Sequence, residues 1–287
     1  MTATRELSRR TQAFRTLEGD GIEVLRAIPA DGLESVGPFI FLDHFGPIAW
    51  KPGEEKGASE HPHAGIETMT LLLEGRMRHK DSLGNASTMA PGDVQWMRAG
   101  RGIVHDEQPD VSQMKPGERT HGVQLWLNLP RGDKHVAPEY RHIRADEIPL
   151  ISDAEGVRQR LIAGTAGGYT GPLKTYGDAH VIHASFDADA VVTVDLSAVA
   201  ELAVYTIIGS AELGSVGDVI SAGELGVLSK GGLVRIDGKT GSELLIIGGQ
   251  PLDAPILRYG PFVMNTPSEL DRAFGDYRRG AMGRIAA

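Results

Sequence analysis

The feature that most constrains the fold is a series of short apolar runs separated by turn residues. The runs are rich in Val, Ile, Leu and Thr and are bounded by Gly, Pro or Asp. Runs of about four to eight residues are typical of strands in a sandwich or barrel, and helical periodicity is largely missing. We therefore predict an all-β protein. The runs include ETMTLLLEG, GDVQWMRAG, GVQLWLNLP, AVVTVDL, LAVYTIIG, LGVLSKG, LVRIDG and ELLIIGG.

One segment near the C-terminus departs from this pattern and predicts a short amphipathic helix. In NTPSELDRAFGDYRRG, Thr266 is the expected N-cap and Pro267 the first helical residue. Glu269 is the expected partner of Thr266 in a capping box, and Gly280 would end the helix. The apolar stripe, which would dock on a sheet, consists of Leu270, Ala273, Phe274 and Tyr277.

A weak internal repeat indicates two domains of one type. Residues 91–100, PGDVQWMRAG, align with residues 222–231, AGELGVLSKG, at an offset of 131. Each segment has a glycine and an acid near its start and closes with a glycine. The boundary would lie within 145–155. We therefore predict an N-terminal domain over residues 1–148 and a C-terminal domain, ending in the helix, over residues 149–287.

Composition excludes several classes of protein. The chain has no cysteine, which rules out disulfides, iron–sulfur clusters and thiol nucleophiles. A net charge of −9 argues against direct nucleic-acid binding, because no basic stretch is present to neutralise phosphates. Residues 1–14 lack the apolar core of a secretory signal, and no apolar run is long enough to span a membrane. We expect a cytoplasmic protein.

Two short motifs, HPHAGIE and GIVHDEQP, carry the strongest chemical signal. His61 and His63 are two residues apart, as are His105 and Glu107, so in strands each pair would project from one face. On neighbouring strands, three imidazoles and one carboxylate would converge on a site for Fe(II), Mn(II), Ni(II), Cu(II) or Zn(II). Pro62 implies an edge strand or a strand end, where a site could open to solvent.

Other readings of these residues stay open. The chain has ten histidines, so the motif histidines could instead form a hydrogen-bonded structural cluster. Glu67, four residues after His63, is either a fifth ligand or a carboxylate that orients an imidazole. His79 is a candidate for the mouth of the pocket. We expect His121 to pack near the site or orient a ligand, and His44 to donate to a backbone carbonyl.

Several long motifs give the chain a resemblance to a known family. They are PFIFLDHFGP (38–47), HPHAGIETMTLLLEG (61–75), HKDSLGN (79–85), PGDVQWMRAGRGIVHDE (91–107), QLWLNLP (124–130) and GPFVMNT (260–266). In this order, they resemble the pirin family of the cupin superfamily. The likeness extends from about residue 12 to the end of the chain.

The resemblance implies a bicupin, with two cupin-type β-sandwich (jelly-roll) domains and a short C-terminal helix. It implies one mononuclear Fe(II) site in the N-terminal domain, and it assigns Glu67 no place among the ligands. The C-terminal domain should bind no metal, because Ile236 and Gly238 stand 131 residues after His105 and Glu107. The implied ligands are His61, His63, His105 and Glu107.

The resemblance also implies an activity, quercetin 2,3-dioxygenase. In that reaction the 3-hydroxyl group of a flavonol loses its proton, O₂ adds, and the ring opens with loss of carbon monoxide. Glu107 is the only carboxylate among the expected ligands, so it is the natural candidate for the catalytic base. The expected small-molecule partners are therefore O₂ and an aromatic substrate such as a flavonol.

Two further hypotheses belong to other classes. Pirins are also described as proteins that bind transcription factors or metabolic enzymes, which makes a redox- or metal-responsive regulator the main alternative. A cupin that uses the same metal on a substrate other than a flavonol is the third. Turnover separates them, because only an enzyme for flavonols consumes oxygen with quercetin.

Overall fold

The protein, described here from a computed structural model, is built mainly of β-strands. The structure describes residues 3–51, 53–152 and 155–286. This architecture confirms the prediction of an all-β protein with one short C-terminal helix. The strands of the first half are β1 (Leu7–Gln12), β2 (Phe14–Glu18), β3 (Ile22–Ile28), β4 (Phe39–Ile48), β5 (Ala58–His63), β6 (Ile66–Glu74), β7 (Met77–Asp81), β8 (Ala86–Met89), β9 (Val94–Arg98), β10 (Ile103–Pro109), β11 (Thr120–Asn128) and β12 (Glu139–Ile143).

The second half continues the same pattern. Three short 3₁₀ helices occur at Val111–Gln113, Arg131–Asp133 and Ala145–Glu147. The remaining elements are β13 (Leu150–Ser152), β14 (Val157–Ala163), β15 (Thr165–Ala166), β16 (Tyr169–Thr170), β17 (His180–Phe186), β18 (Ala190–Asp195), β19 (Glu201–Ile208), β20 (Ser210–Leu213), β21 (Asp218–Ser221), β22 (Glu224–Leu228), β23 (Leu233–Gly238), β24 (Glu243–Gly249), β25 (Leu257–Tyr259), β26 (Phe262–Met264) and α1 (Pro267–Arg278).

The chain forms two compact units, and each is assembled from three separate segments. We call the first the histidine unit; it consists of residues 15–25, 40–145 and the described part of 253–287. We call the second the aliphatic unit; it consists of the described parts of 1–14 and 146–252, together with 26–39. Helix α1 therefore lies in the histidine unit. The division of the chain at residue 148 into two linear domains stays a prediction.

The sheets of the two units have the same strand order. One pair of sheets is β12-β9-β6-β11-β4-β3-β2 and β5-β10-β7-β8; the other is β1-β22-β19-β24-β17-β14-β13 and β18-β23-β20-β21. Strand β9 thus corresponds to β22, and β10 to β23, which agrees with the repeat read from the sequence. Strand β1 is the edge strand beside β22, just as β12 is the edge strand beside β9.

The core of the aliphatic unit lies between its seven-stranded and four-stranded sheets. Phe186 and Ile246 come from the larger sheet, and Val192 and Ile236 come from the smaller one. Their apolar side chains pack in one buried cluster, as expected for strands whose alternate residues face inward. Burial of apolar area in the core is the main source of stability for such a unit.

Helix α1 begins and ends as the sequence predicts. The Thr266 hydroxyl accepts a hydrogen bond from the Glu269 backbone N–H, at 3.3 Å. The Glu269 carboxylate accepts in return from the Asn265 N–H, at 3.0 Å, so the returned bond reaches one residue further back than in an ideal capping box. Gly280 follows the helix with a φ of +75°, a conformation that favours glycine. Leu270 and Ala273 are buried on the inner face.

Within the part of the chain that the structure describes, no helix combines the length and apolar character needed to cross a membrane.

We expect Thr266→Ala to lower the free energy of unfolding by about 1 kcal/mol, because the Glu269 N–H loses its side-chain acceptor. Urea unfolding followed by circular dichroism measures the change. Thr170→Ala is a matched control, since Thr170 is an exposed threonine outside any helix cap. Equal effects of the two substitutions would contradict the cap.

Candidate metal centre

The pairing of β5 with β10 brings the two histidine motifs together. In this antiparallel pair His61 lies directly opposite His105, and His63 lies opposite Ile103. Strand β5 is the edge strand of its four-stranded sheet, which is where the proline at position 62 can be accommodated. The two motifs thus lie on neighbouring strands, which is the condition for their side chains to converge.

The three imidazoles meet through the same ring atom. His61 Nε2 lies 3.1 Å from His63 Nε2 and 2.9 Å from His105 Nε2. His63 and His105 are buried, whereas His61 is half-buried and forms the more open side of the group. We call these three residues the histidine cluster.

Backbone carbonyls determine which ring nitrogen carries the proton in two of the histidines. His61 Nδ1 lies 2.8 Å from the Ser59 carbonyl oxygen, and His63 Nδ1 lies 3.1 Å from that of Pro261. A carbonyl only accepts, so both Nδ1 atoms are donors, and the Nε2 of a neutral ring then presents a lone pair. Both lone pairs face the centre of the histidine cluster.

The buried histidines are held in their neutral form. Burial, together with the neighbouring His61, lowers the pKa of His63 to about 3. Burial also lowers the pKa of His105 well below its usual value, and the adjacent histidines add to the effect. A hydrogen bond between two Nε2 atoms would require one of them to be protonated. In His63, whose Nδ1 already donates, that proton would create the buried imidazolium that the lowered pKa disfavours.

The geometry of the histidine cluster fits a divalent transition metal ion. Nitrogen ligands bound at about 2.1 Å with angles near 90° are roughly 3 Å apart, and the separations here are 2.9 and 3.1 Å. Three imidazole nitrogens suit iron, nickel, copper or zinc. The arrangement therefore has the donor atoms and spacing of a metal site.

Glu107 is buried close to the histidine cluster but contacts two glutamines. Its Oε1 accepts a hydrogen bond from Gln95 Nε2, and its Oε2 accepts one from Gln124 Nε2 at 3.0 Å. Oε2 lies 3.9 Å from His105 Nδ1, on the far side of that ring from the histidine cluster. The pairing of β5 with β10 is irregular between His105 and Glu107. The structure thus brings Glu107 beside His105 rather than into contact with all three Nε2 atoms.

His79 belongs to the buried interior of the site and not to an outer mouth. Its side chain is 1% exposed, and it groups with His105 and Glu107 as a second set of ligand-type atoms. Its Nε2 lies 3.4 Å from Asp81 Oδ2, and its ring stacks on Tyr140 with centroids 4.1 Å apart. His79 therefore packs against His105, with ring centroids 5.4 Å apart.

The other residues singled out from the sequence lie apart from both groups. Glu67 is buried on β6, in register with Leu127 and Arg98, and is not among the clustered ligand atoms of the described chain. His44 Nε2 lies 2.7 Å from His121 Nε2, so these two histidines form a buried pair of their own.

Lys134 hydrogen-bonds both the backbone that follows His63 and the segment that carries Pro261. Its fully buried ammonium group donates to the carbonyl oxygens of Gly65, at 2.7 Å, and Val263, at 2.9 Å, and to the Asn128 side chain. Gly65 follows His63 by two residues, and Val263 follows Pro261 by two. The lysine thus ties together the two segments that orient the His63 ring.

Sequence reasoning missed the glutamines that hold Glu107 and the carbonyl that holds His63. Gln95 and Gln124 are each the single glutamine inside an apolar run, GDVQWMRAG and GVQLWLNLP, and that polar interruption was the available signal. The Pro261 carbonyl could not be found in this way, because it is a backbone group from a segment about 200 residues distant.

Comparison with known proteins agrees with these features. Residues 21–127 match the family described as Pirin, and residues 181–283 match the Pirin C-terminal cupin domain. Human pirin is 36% identical over 271 residues, which cover 93% of this chain and 90% of the human protein. A pirin-like protein of Caulobacter vibrioides is 37% identical over 271 residues, covering 92% and 94% of the two chains. A crystal structure of quercetin 2,3-dioxygenase from Acinetobacter baumannii matches with a TM-score of 0.90 and 32% identity, over 99% of this chain and 100% of that one.

We expect the metal-free protein to lose stability as the pH falls from 7 to 5. The pKa of His63 is lower in the folded protein than in the unfolded chain, so the unfolded state binds more protons and acid favours it. At pH 5 this one histidine would cost about 2 kcal/mol, given an unfolded pKa of about 6.5. Urea unfolding at both pH values, after removal of metal by a chelator, measures the loss.

His63→Gln should reduce this pH dependence, because the substitution removes the buried group whose pKa is lowered on folding. An identical fall in stability for the wild-type protein and His63→Gln would contradict the neutral buried state of His63.

Proposed function

This chain belongs to the pirin family, and we propose that it is a metal-dependent dioxygenase that cleaves a flavonol such as quercetin. The observation that carries the proposal is the convergence of three Nε2 atoms on one point, with spacings that suit a bound transition metal. The likeness to a quercetin 2,3-dioxygenase over the whole chain supports the choice of reaction.

The proposed metal is a single Fe(II) ion held by His61, His63, His105 and Glu107. The three imidazoles are preorganised for this role, since backbone carbonyls orient two of them and burial keeps His63 and His105 neutral. Glu107 would complete the set by a movement of its side chain toward the histidine cluster. When bound, the iron would supply the means to activate O₂ and to polarise the oxygen atoms of the flavonol.

Glu107 is proposed to act as the base that takes the proton from the flavonol 3-hydroxyl group. Among the described residues, two groups of clustered ligand-type atoms share His105, and Glu107 is the only carboxylate in either group. Each of its oxygens accepts one amide hydrogen bond and keeps a further lone pair, so Oε1 or Oε2 could receive the proton. Positioned proton transfer of this kind accelerates reactions by about 10²–10⁴-fold.

The surroundings of the histidine cluster suit a flat aromatic substrate. The Trp126 ring packs edge-on against His63, with ring centroids 4.8 Å apart, and stacks on Phe41 at 4.5 Å. Trp126 and His61 are both only half-buried, so aromatic surface and the more open side of the cluster are accessible together.

We expect protein purified without added metal to contain close to one equivalent of iron and to consume oxygen when quercetin is supplied. Elemental analysis and an oxygen electrode measure the two quantities. His63→Ala should lose both the metal and the activity. Iron without oxygen uptake would contradict the dioxygenase proposal and favour the regulatory alternative, in which a protein partner responds to the state of the metal.

We expect Glu107→Gln to keep the fold while lowering flavonol cleavage by at least about 100-fold, because the amide cannot accept the substrate proton. Steady-state oxygen uptake measures the loss, and circular dichroism checks the fold. Glu60→Gln is the matched control, since Glu60 is an exposed glutamate on the same strand as His61 and His63. Undiminished cleavage by Glu107→Gln would contradict the proposed base.

A further inference from the structure

The two glutamines that contact Glu107 come from one row of the seven-stranded sheet. Gln124 on β11 lies opposite Thr70 on β6, and Thr70 lies opposite Gln95 on β9. The two amides are therefore separated by one strand and face the same way. They reach Glu107 from both sides, so that each carboxylate oxygen accepts one N–H donor. We call Gln95 and Gln124 the glutamine pair.

The orientation of the Gln124 amide is determined by its neighbours. The Trp126 indole N–H, which can only donate, lies 3.4 Å from Gln124 Oε1. The NH₂ group of Gln124 must then face the other way, toward Glu107 Oε2 at 3.0 Å and the Thr70 hydroxyl at 3.3 Å. Because the Trp126 ring also packs against His63, Gln124 is linked to the histidine cluster as well as to the carboxylate.

We propose that Gln95 and Gln124 are positioning residues, which hold the Glu107 carboxylate beside His105 and orient it for the movement toward the histidine cluster by which it binds the metal. This inference rests on the proposed function, since it takes Glu107 to be a metal ligand. Two amide donors stabilise a buried carboxylate, and the lone pairs they leave unused remain available for coordination. Hydrogen bonds that orient a ligand typically change metal affinity by about 10–100-fold when they are removed.

A positioning role differs from a purely structural one in its dependence on Glu107. If the glutamine pair acts through the carboxylate, removal of a glutamine matters only while the carboxylate is present. If instead Gln124 merely packs the sheet, its removal should have the same effect with or without Glu107. A double-mutant cycle separates these two cases, because side chains that act through one another give non-additive changes.

The test uses the full-length protein stripped of metal and titrated with Co(II) against a competing chelator. Four proteins are compared, namely the wild type, Gln124→Met, Glu107→Ala and the double variant. Methionine keeps the length of the side chain and removes the donor. We expect Gln124→Met to weaken Co(II) binding by about 10–100-fold in the wild type and by less than about 3-fold in the Glu107→Ala background.

Gln108→Met is the matched control, because Gln108 neighbours Glu107 on β10 but contacts Asp106 and Ser59 instead. It should leave Co(II) affinity unchanged. If Gln124→Met does not fold, as judged by circular dichroism, Gln95→Met tests the same prediction from the other carboxylate oxygen.

Equal losses of affinity in the two backgrounds, or no loss in the wild type, would overturn the positioning role while leaving Glu107 as a ligand. Unchanged Co(II) affinity in Glu107→Ala would remove Glu107 from the metal site, and both the proposed ligand set and this inference would then fail. Neither outcome depends on flavonol turnover, so the choice of substrate is tested separately.

Discussion

The register between β5 and β10 is the constraint on which the site depends. With His61 opposite His105, both rings project from one face of the sheet, and His63 follows on the same face. A slip of one residue would turn His61 and His63 toward the opposite face, because strand side chains alternate. The carbonyl contacts at Nδ1 and the burial of His63 and His105 act only after that register has brought the rings together.

Much of this arrangement could be predicted from the sequence, because it is local. The two-residue spacing of the histidines becomes a shared face as soon as the segments form strands. Pro62 indicated an edge strand, and Thr266 marked the start of the helix. The sequence repeat also corresponds to a repeated strand register. Val192 lies opposite Ile236, just as His61 lies opposite His105, so the same register carries aliphatic side chains in the aliphatic unit.

What could not be predicted depends on contacts between distant segments. Glu107 appeared from its spacing to aim at the same point as the histidines, yet it lies between Gln95 and Gln124, and an irregularity in the strand pairing precedes it. His79 was a candidate for the mouth of the pocket but is buried, with its ring against Tyr140 and His105. Side-chain direction after a bulge and burial by another strand are both tertiary effects, which spacing alone does not encode.

The interleaving of the chain has a consequence for synthesis on the ribosome. Strand β1 pairs with β22, which is made more than 200 residues later. The segment that carries Pro261 and Val263, and so holds His63 and Lys134 in place, is made later still. Strand β1 therefore stays unpaired with β22 while the intervening chain is made, so an intermediate with an open sheet edge should persist over that interval. The orientation of His63 thus depends on a segment that is made about 200 residues after it.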